Sequence, residues 1–143
     1  MADDSEHERA GLSEVRHLDE VDLFLFSAAL WLPHRIHYDR DYTHTEGHAD
    51  LLVHGPLQAA IATEMVSRHA RASGLRVSHV SYRHVAPAFV NTQLVFCAQA
   101  RGEGDSGKVF DVTVRDDRAG NTTTLGVIEV GPAASVLPGA PHQ

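Results

Sequence analysis

A single cysteine, Cys97, leaves this 143-residue chain no internal disulfide and no thiolate zinc site, and a lone thiol fits a reducing compartment. No apolar run approaches the ~20 residues that a membrane-spanning helix needs. The N-terminus, MADDSEHERAG, is acidic where a signal peptide needs a basic start and an apolar stretch, so the expected location is cytoplasmic. Basic charge is also short. A net charge of −7 argues against nucleic acid or an anionic membrane as partner, and local clusters such as Arg68, His69 and Arg71 do not overturn that balance. There is no internal repeat and no linker.

What is present belongs to an ordinary globular protein, 43% apolar and 22% charged, and its length suits one domain. The polar residues 1–12 and the Pro/Gly/Ala-rich residues 132–143 are expected to be flexible ends around a domain at 13–131. Within that domain, Glu14–Leu18 reads as a short strand. VDLFLF is ambiguous in period, but Asp19 is a helix cap, so a helix is expected from there to about Trp31, ended by Pro33. Residues 34–50 read as a polar loop. Gly55-Pro56 followed by LQAAIATEMVSRHARAS predicts a helix stopped by Ser73-Gly74, with Leu57, Ala60, Ile61, Met65 and Val66 at helical spacing. Strands are expected over 76–83, 93–101, 108–116 and 122–130, because KVFDVTVRD alternates and GEGDSG and DRAGN are hairpin-loop compositions. One apolar helix before a run of antiparallel strands implies an α+β fold with the helix on one face of the sheet. The sheet edges and the open helix end invite a dimer.

Five of the eleven histidines fall between residues 30 and 58. His44 and His48 are four apart, as zinc-binding pairs on a helix are, but Glu46 is misplaced for a metalloprotease motif and Gly47 disfavours a helix. No metal site is expected. An acid/base reading explains more, since a histidine near neutrality takes a proton from water and returns one to a leaving group. The helix starting at Gly55-Pro56 offers unpaired N–H groups, from Gly55, Leu57 and Gln58, and a partial positive charge to an oxygen gaining negative charge. Equally, Gly55-Pro56 reads simply as a well-formed helix start.

Two stretches together, HRIHYDRDY (34–42) and LLVHGPLQA (51–59), resemble the MaoC-like hot-dog hydratases and dehydratases. The branch they look most like is the type 2 hydroxyacyl-thioester dehydratases, which includes mesaconyl-CoA hydratase-like proteins. The resemblance runs from about Phe24 to Leu94 and includes YRHVAPAFVNTQL (82–94). It implies a hot-dog fold, a sheet wrapped around one central helix, paired as a double hot dog in a homodimer or with another hot-dog chain. It also implies reversible addition of water to an α,β-unsaturated acyl thioester, with the thioester as substrate and no separate cofactor. The family's histidine with aspartate two residues later falls on His37 and Asp39, and its oxyanion-binding glycine N–H falls on Gly55.

One position departs from that pattern. Where many members carry aspartate or asparagine, five residues before the histidine, this chain has Leu32. Three explanations follow: His34, Arg35 or Asp39 takes the second role; a partner chain supplies it; or the chain keeps the pocket without hydratase chemistry, as a silent subunit that binds an acyl thioester. A hot-dog thioesterase using Glu64 on the central helix is a further reading. The expected catalytic set is therefore His37, Gly55, Asp39 and His34, with Arg35, Leu57 and Gln58 contacting the thioester or its carrier. His54 reads as a packing residue beside Gly55, Trp31 as a buried anchor for the entry helix, and Cys97 as inert core.

Overall fold

The computed structural model describes residues 11–104 and 107–133. The expected flexible ends, 1–12 and 132–143, lie almost entirely outside those residues. In chain order the elements are β1 (Leu12–His17), α1 (Glu20–Ala29), a 3-10 turn at Arg35–His37, α2 (Arg40–Thr45), α3 (Gly55–Ala72), β2 (Leu75–His84), β3 (Gln93–Gly104), β4 (Gly107–Asp116) and β5 (Thr122–Pro132). The strands form one antiparallel sheet in the order β1-β3-β4-β5-β2, so β1 and β2 are its edges.

The sheet closes over α3. Gln58, Ala62, Met65, Val66 and Ala70 are its buried residues, spaced to make one stripe along the helix. Facing them are Leu94, Phe96 and Ala98 of β3, Phe110, Val112 and Val114 of β4, and Ile128 and Val130 of β5. Each strand contributes alternate residues, as the pleat requires. The small alanines of the stripe let the helix lie close to the sheet. This is the α+β hot-dog architecture expected from the sequence, and strand and helix limits agree within a few residues.

α1 begins where Asp19 caps it: the carboxylate accepts from Val21 N–H and Asp22 N–H, and Asp22 accepts in return from Asp19 N–H. The helix ends at Ala29, two residues before the expected limit, and Trp31 takes a left-handed conformation (φ 53°). That turn throws the indole outward, so Trp31 is 88% exposed and not the buried anchor expected of it. Val21, Phe24, Leu25 and Leu30 are exposed as well, leaving α1 with a continuous apolar outer face.

The segment 34–50 is more ordered than a loop. His34 Nδ1 accepts from Ile36 N–H to cap the 3-10 turn, and the Asp39 carboxylate accepts from Tyr42 N–H to cap α2. Arg40 then ties α2 to Glu20 of α1 and to Asp50 (2.8 Å). Short polar caps at this spacing are hard to tell from loop composition, which is why periodicity missed two short helices.

Candidate active site

The chain enters α3 through residues 51–54, which run antiparallel to residues 88–90. Val53 N–H donates to Ala88 O (2.8 Å) and Val90 N–H to Leu51 O (2.9 Å). Leu52 faces the other way and clasps the 3-10 turn twice. Its N–H donates to Ile36 O (3.0 Å), and its carbonyl accepts from His37 Nδ1 (2.8 Å). A carbonyl oxygen only accepts, so the Nδ1 of His37 carries the proton and a neutral ring keeps Nε2 as a free base. Burial lowers the His37 pKa below the usual histidine value, with the Leu52 bond opposing and nearby His34 adding to the effect.

His37 lies on the ring of His54, with centroids 3.6 Å apart and planes 19° from parallel. His54 is 1% exposed. Its Nε2 meets the Ser27 hydroxyl of α1 at 2.7 Å, the Phe26 ring stands edge-on to it, and its Nδ1 has no partner among the described residues. Burial, with His37 next to it, pushes the His54 pKa down to about 4, so the ring is neutral at pH 7. A stacked pair that can hold little positive charge keeps His37 in its basic form.

Gly55 follows immediately. Among the described residues neither its N–H nor that of Leu57 has an acceptor, whereas Gln58 N–H is spent on His54 O (3.2 Å). The donor set expected at this helix end therefore shrinks to Gly55 and Leu57. Gln58 instead turns its amide inward, where Oε1 accepts from Thr123 Oγ1 (2.7 Å) and Thr124 Oγ1 (2.9 Å) of β5. Glycine at 55 is a steric requirement too: a Cβ there would come within 2.4 Å of the His84 ring.

The other expected residues fall beside this centre with different partners. Asp39, besides capping α2, pairs with the exposed Arg35 (2.6 Å). The Asp39 carboxyl is held below its usual range by the Tyr42 N–H and by Arg35. It makes no bond to His37, whose ring is oriented by Leu52 O instead. Arg35 also lies over the Tyr42 ring, 4.5 Å from its centroid. His34 stands edge-on to His37 at 6.2 Å. Leu32 lines an apolar pocket of about 200 Å³ with Phe24, Ser27, Trp31 and Tyr38. Ser27 thus joins that pocket to His54. Glu64 is exposed and paired with Arg68 at 2.6 Å. His44 contacts Ala49 O (3.2 Å) on the surface. Among the described residues, no three His, Cys, Asp or Glu side chains converge where they could hold a metal ion.

Three residues at this site were not singled out from sequence: Ser27, Leu52 and His84. Leu52 acts through its backbone, which residue type does not announce. Ser27 and His84 reach the site only through the packing of α1 and β2 around the start of α3.

The chain resembles the Mesaconyl-C(4)-CoA hydratase of Chloroflexus aurantiacus, with 39% identity over 82 residues, 57% of this chain and 28% of that protein. It therefore spans a little over a quarter of that relative's length. Among solved structures, the (R)-hydratase from A. caviae involved in PHA biosynthesis superposes with a TM-score of 0.80 at 14% identity, covering 87% of this chain and 96% of that one. The ChsH1-ChsH2 complex from Mycobacterium tuberculosis gives a TM-score of 0.78 at 16% identity, covering 87% and 97%. Both share the hot-dog fold. The sequence profile of hydroxyacyl-thioester dehydratase type 2 matches residues 2–90, well over half of the chain, and the chain belongs to that family.

Proposed function

We propose that this chain adds water reversibly to an α,β-unsaturated acyl thioester, with His37 as acid/base and the Gly55 N–H as donor to the thioester oxygen. The observation that carries the reading is the His37–Leu52 bond, which leaves Nε2 free on a ring stacked against the residue preceding Gly55. In the hydration direction His37 Nε2 takes a proton from water while the water oxygen bonds to the β-carbon. The double-bond electrons move toward the carbonyl, and the resulting enolate oxygen is held by Gly55 N–H and the helix dipole. A proton on the α-carbon completes the product. In reverse, protonated His37 gives its proton to the leaving hydroxyl.

Room for an acyl chain exists on two sides of the helix start: the apolar pocket at Leu32, and a groove of about 560 Å³ between β1, α1 and α3 that includes Leu57. Arg35, exposed beside this centre, would meet a phosphate of the thioester carrier. The protein works in the cytoplasm, a location that the lone free Cys97 supports and for which no helix of the described residues is long and apolar enough to cross a membrane. It works as a homodimer or with a second hot-dog chain, as the exposed apolar face of α1 and the open edge β2 support.

The test is a panel of straight and branched 2-enoyl-CoA thioesters with the purified chain, alone and with genetically neighbouring hot-dog proteins. Water addition by wild type that is lost in His37→Ala is the expected result. No hydration under any of these conditions removes the reading. A second reading, a silent subunit that binds an acyl thioester, is favoured by one observation, the apolar surroundings of Leu32. Acyl-CoA binding without turnover would establish it. CoA release would instead point to the thioesterase reading, although Glu64 is engaged with Arg68.

A further inference from the structure

We propose that His84 is the second acid/base residue of this site, exchanging the α-carbon proton while His37 handles water. The inference rests on the hydratase reading and extends it to a residue on a different element.

His84 ends β2, and its ring lies flat against the start of α3. A Cβ built on Gly55 would meet His84 Cδ2 at 2.4 Å and Nε2 at 2.5 Å. Adding the glycine's own geometry puts His84 Nε2 within roughly 5 Å of the Gly55 nitrogen. A thioester whose oxygen is held by that N–H therefore lies beside the His84 ring. His84 is an exposed residue, so a substrate can approach it.

The other nitrogen is fixed from inside. His84 Nδ1 meets Thr124 Oγ1 at 2.9 Å, and the Thr124 hydroxyl donates to Gln58 Oε1 at 2.9 Å. A hydroxyl has one hydrogen, and Thr124 spends it on Gln58, so Nδ1 must be the donor to Thr124. A neutral His84 then carries its proton on Nδ1 and presents a free lone pair at Nε2, in the plane of a ring whose face covers Gly55. Thr123, Thr124 and Gln58 are all buried, so this arrangement is shielded from water. His37 reaches the same state by a different route, with Nδ1–H on Leu52 O. Asp39 serves Arg35 and the α2 cap, His34 caps the 3-10 turn, and Leu32 has nothing to titrate.

The step balances. In dehydration, neutral His84 Nε2 takes the α-proton, and the C–H electrons form the enolate whose oxygen rests on Gly55 N–H. The enolate electrons then form the double bond as the β C–O bond breaks, and protonated His37 gives its proton to the departing hydroxyl, releasing water. His84 ends with one proton more and His37 with one fewer, and exchange with solvent restores both. Hydration runs the same steps backward.

The experiment compares wild type, His84→Ala and Thr124→Val as full chains on the enoyl-CoA that wild type hydrates best, with thermal melts to confirm folding. His84→Ala is expected to lose about a hundredfold or more in kcat with KM within about threefold, since a positioned acid/base group contributes on that scale. Free imidazole in the buffer should restore about tenfold of that loss, entering the space left by the side chain. Thr124→Val should keep the ring but loosen its orientation, giving a kcat loss smaller than that of His84→Ala. A folded His84→Ala with kcat within about threefold of wild type overturns the proposal, as does a loss confined to KM or one that imidazole leaves untouched. Those results leave the hydratase reading standing, whereas wild type that hydrates nothing takes down both.

Discussion

Two imidazoles meet the start of α3, and the chain holds them by opposite means. His37 is half-buried, steered by one backbone carbonyl, and stacked on a histidine with an unpartnered buried nitrogen. His84 is exposed, but the network behind it, from Thr124 through Gln58 to Thr123, is buried. On the first side desolvation sets the proton affinity. On the second, hydrogen bonding sets which nitrogen is free. In the proposed mechanism, one helix end thus has a reactive nitrogen prepared by withholding water and another by occupying its neighbour.

The largest effect should come from breaking the His37 side. His37→Ala is expected to lower kcat by about 10²–10⁴-fold, read from enoyl-CoA hydration, because in the proposed mechanism it removes the residue that activates water. In wild type the acidic limb of kcat/KM should have its midpoint below 6.5. In the proposed mechanism His37 acts as a base, and a lowered pKa keeps it unprotonated at lower pH. A midpoint at or above 6.5 would contradict the desolvated geometry.

Acid should then weaken the fold through His54. Its pKa falls from 6.5 to about 4 on folding, so between those values the unfolded chain binds a proton that the folded chain refuses. The stabilisation is present above 6.5 and lost as pH falls toward 4, on the order of 3 kcal/mol in all. Urea melts at pH 7 and pH 4.5 measure it, and the difference should shrink in His54→Phe. An unchanged pH slope in that variant would assign the acid sensitivity to other groups.

On the opposite side, Gln58→Leu strips Thr124 of its acceptor and should cost about 1–3 kcal/mol in thermal or urea unfolding. It also frees the Thr124 hydroxyl to donate to His84 Nδ1, which would move the ring proton to Nε2. Nitrogen chemical shifts of His84 read that exchange directly. Smallest of all, Arg35→Ala removes an exposed ion pair with Asp39 and should change stability by less than about 1 kcal/mol. A larger loss would mean that the Arg35–Tyr42 contact holds the 34–45 segment down.

How much of this could be read from sequence follows from what kind of signal each element leaves. α3 was legible because Gly-Pro marks its start, Ser-Gly its end, and apolar residues recur between them at helical spacing. β4 was legible because its side chains alternate without interruption. α2 and the 3-10 turn left no such trace, since six and three residues are too few for a period and their caps look like loop residues. Trp31 was misjudged because its size argues for burial, whereas the left-handed turn at its backbone decides where it points. The site divides the same way. His37 and Gly55 stand in recognisable surroundings, but His84 lies 29 positions beyond Gly55 and meets it only because β2 packs beside α3. The Leu52 carbonyl could be placed only by the fold.

The outward turn at Trp31 has a practical consequence. It is the chain's only tryptophan, it stands in solvent, and it borders both the apolar face of α1 and the pocket that contains Leu32. The molecule therefore carries its single tryptophan fluorophore at the place where an acyl chain or a second subunit would cover it. Its emission should shift toward the blue when either arrives, giving an optical titration of occupancy that needs no label and no turnover.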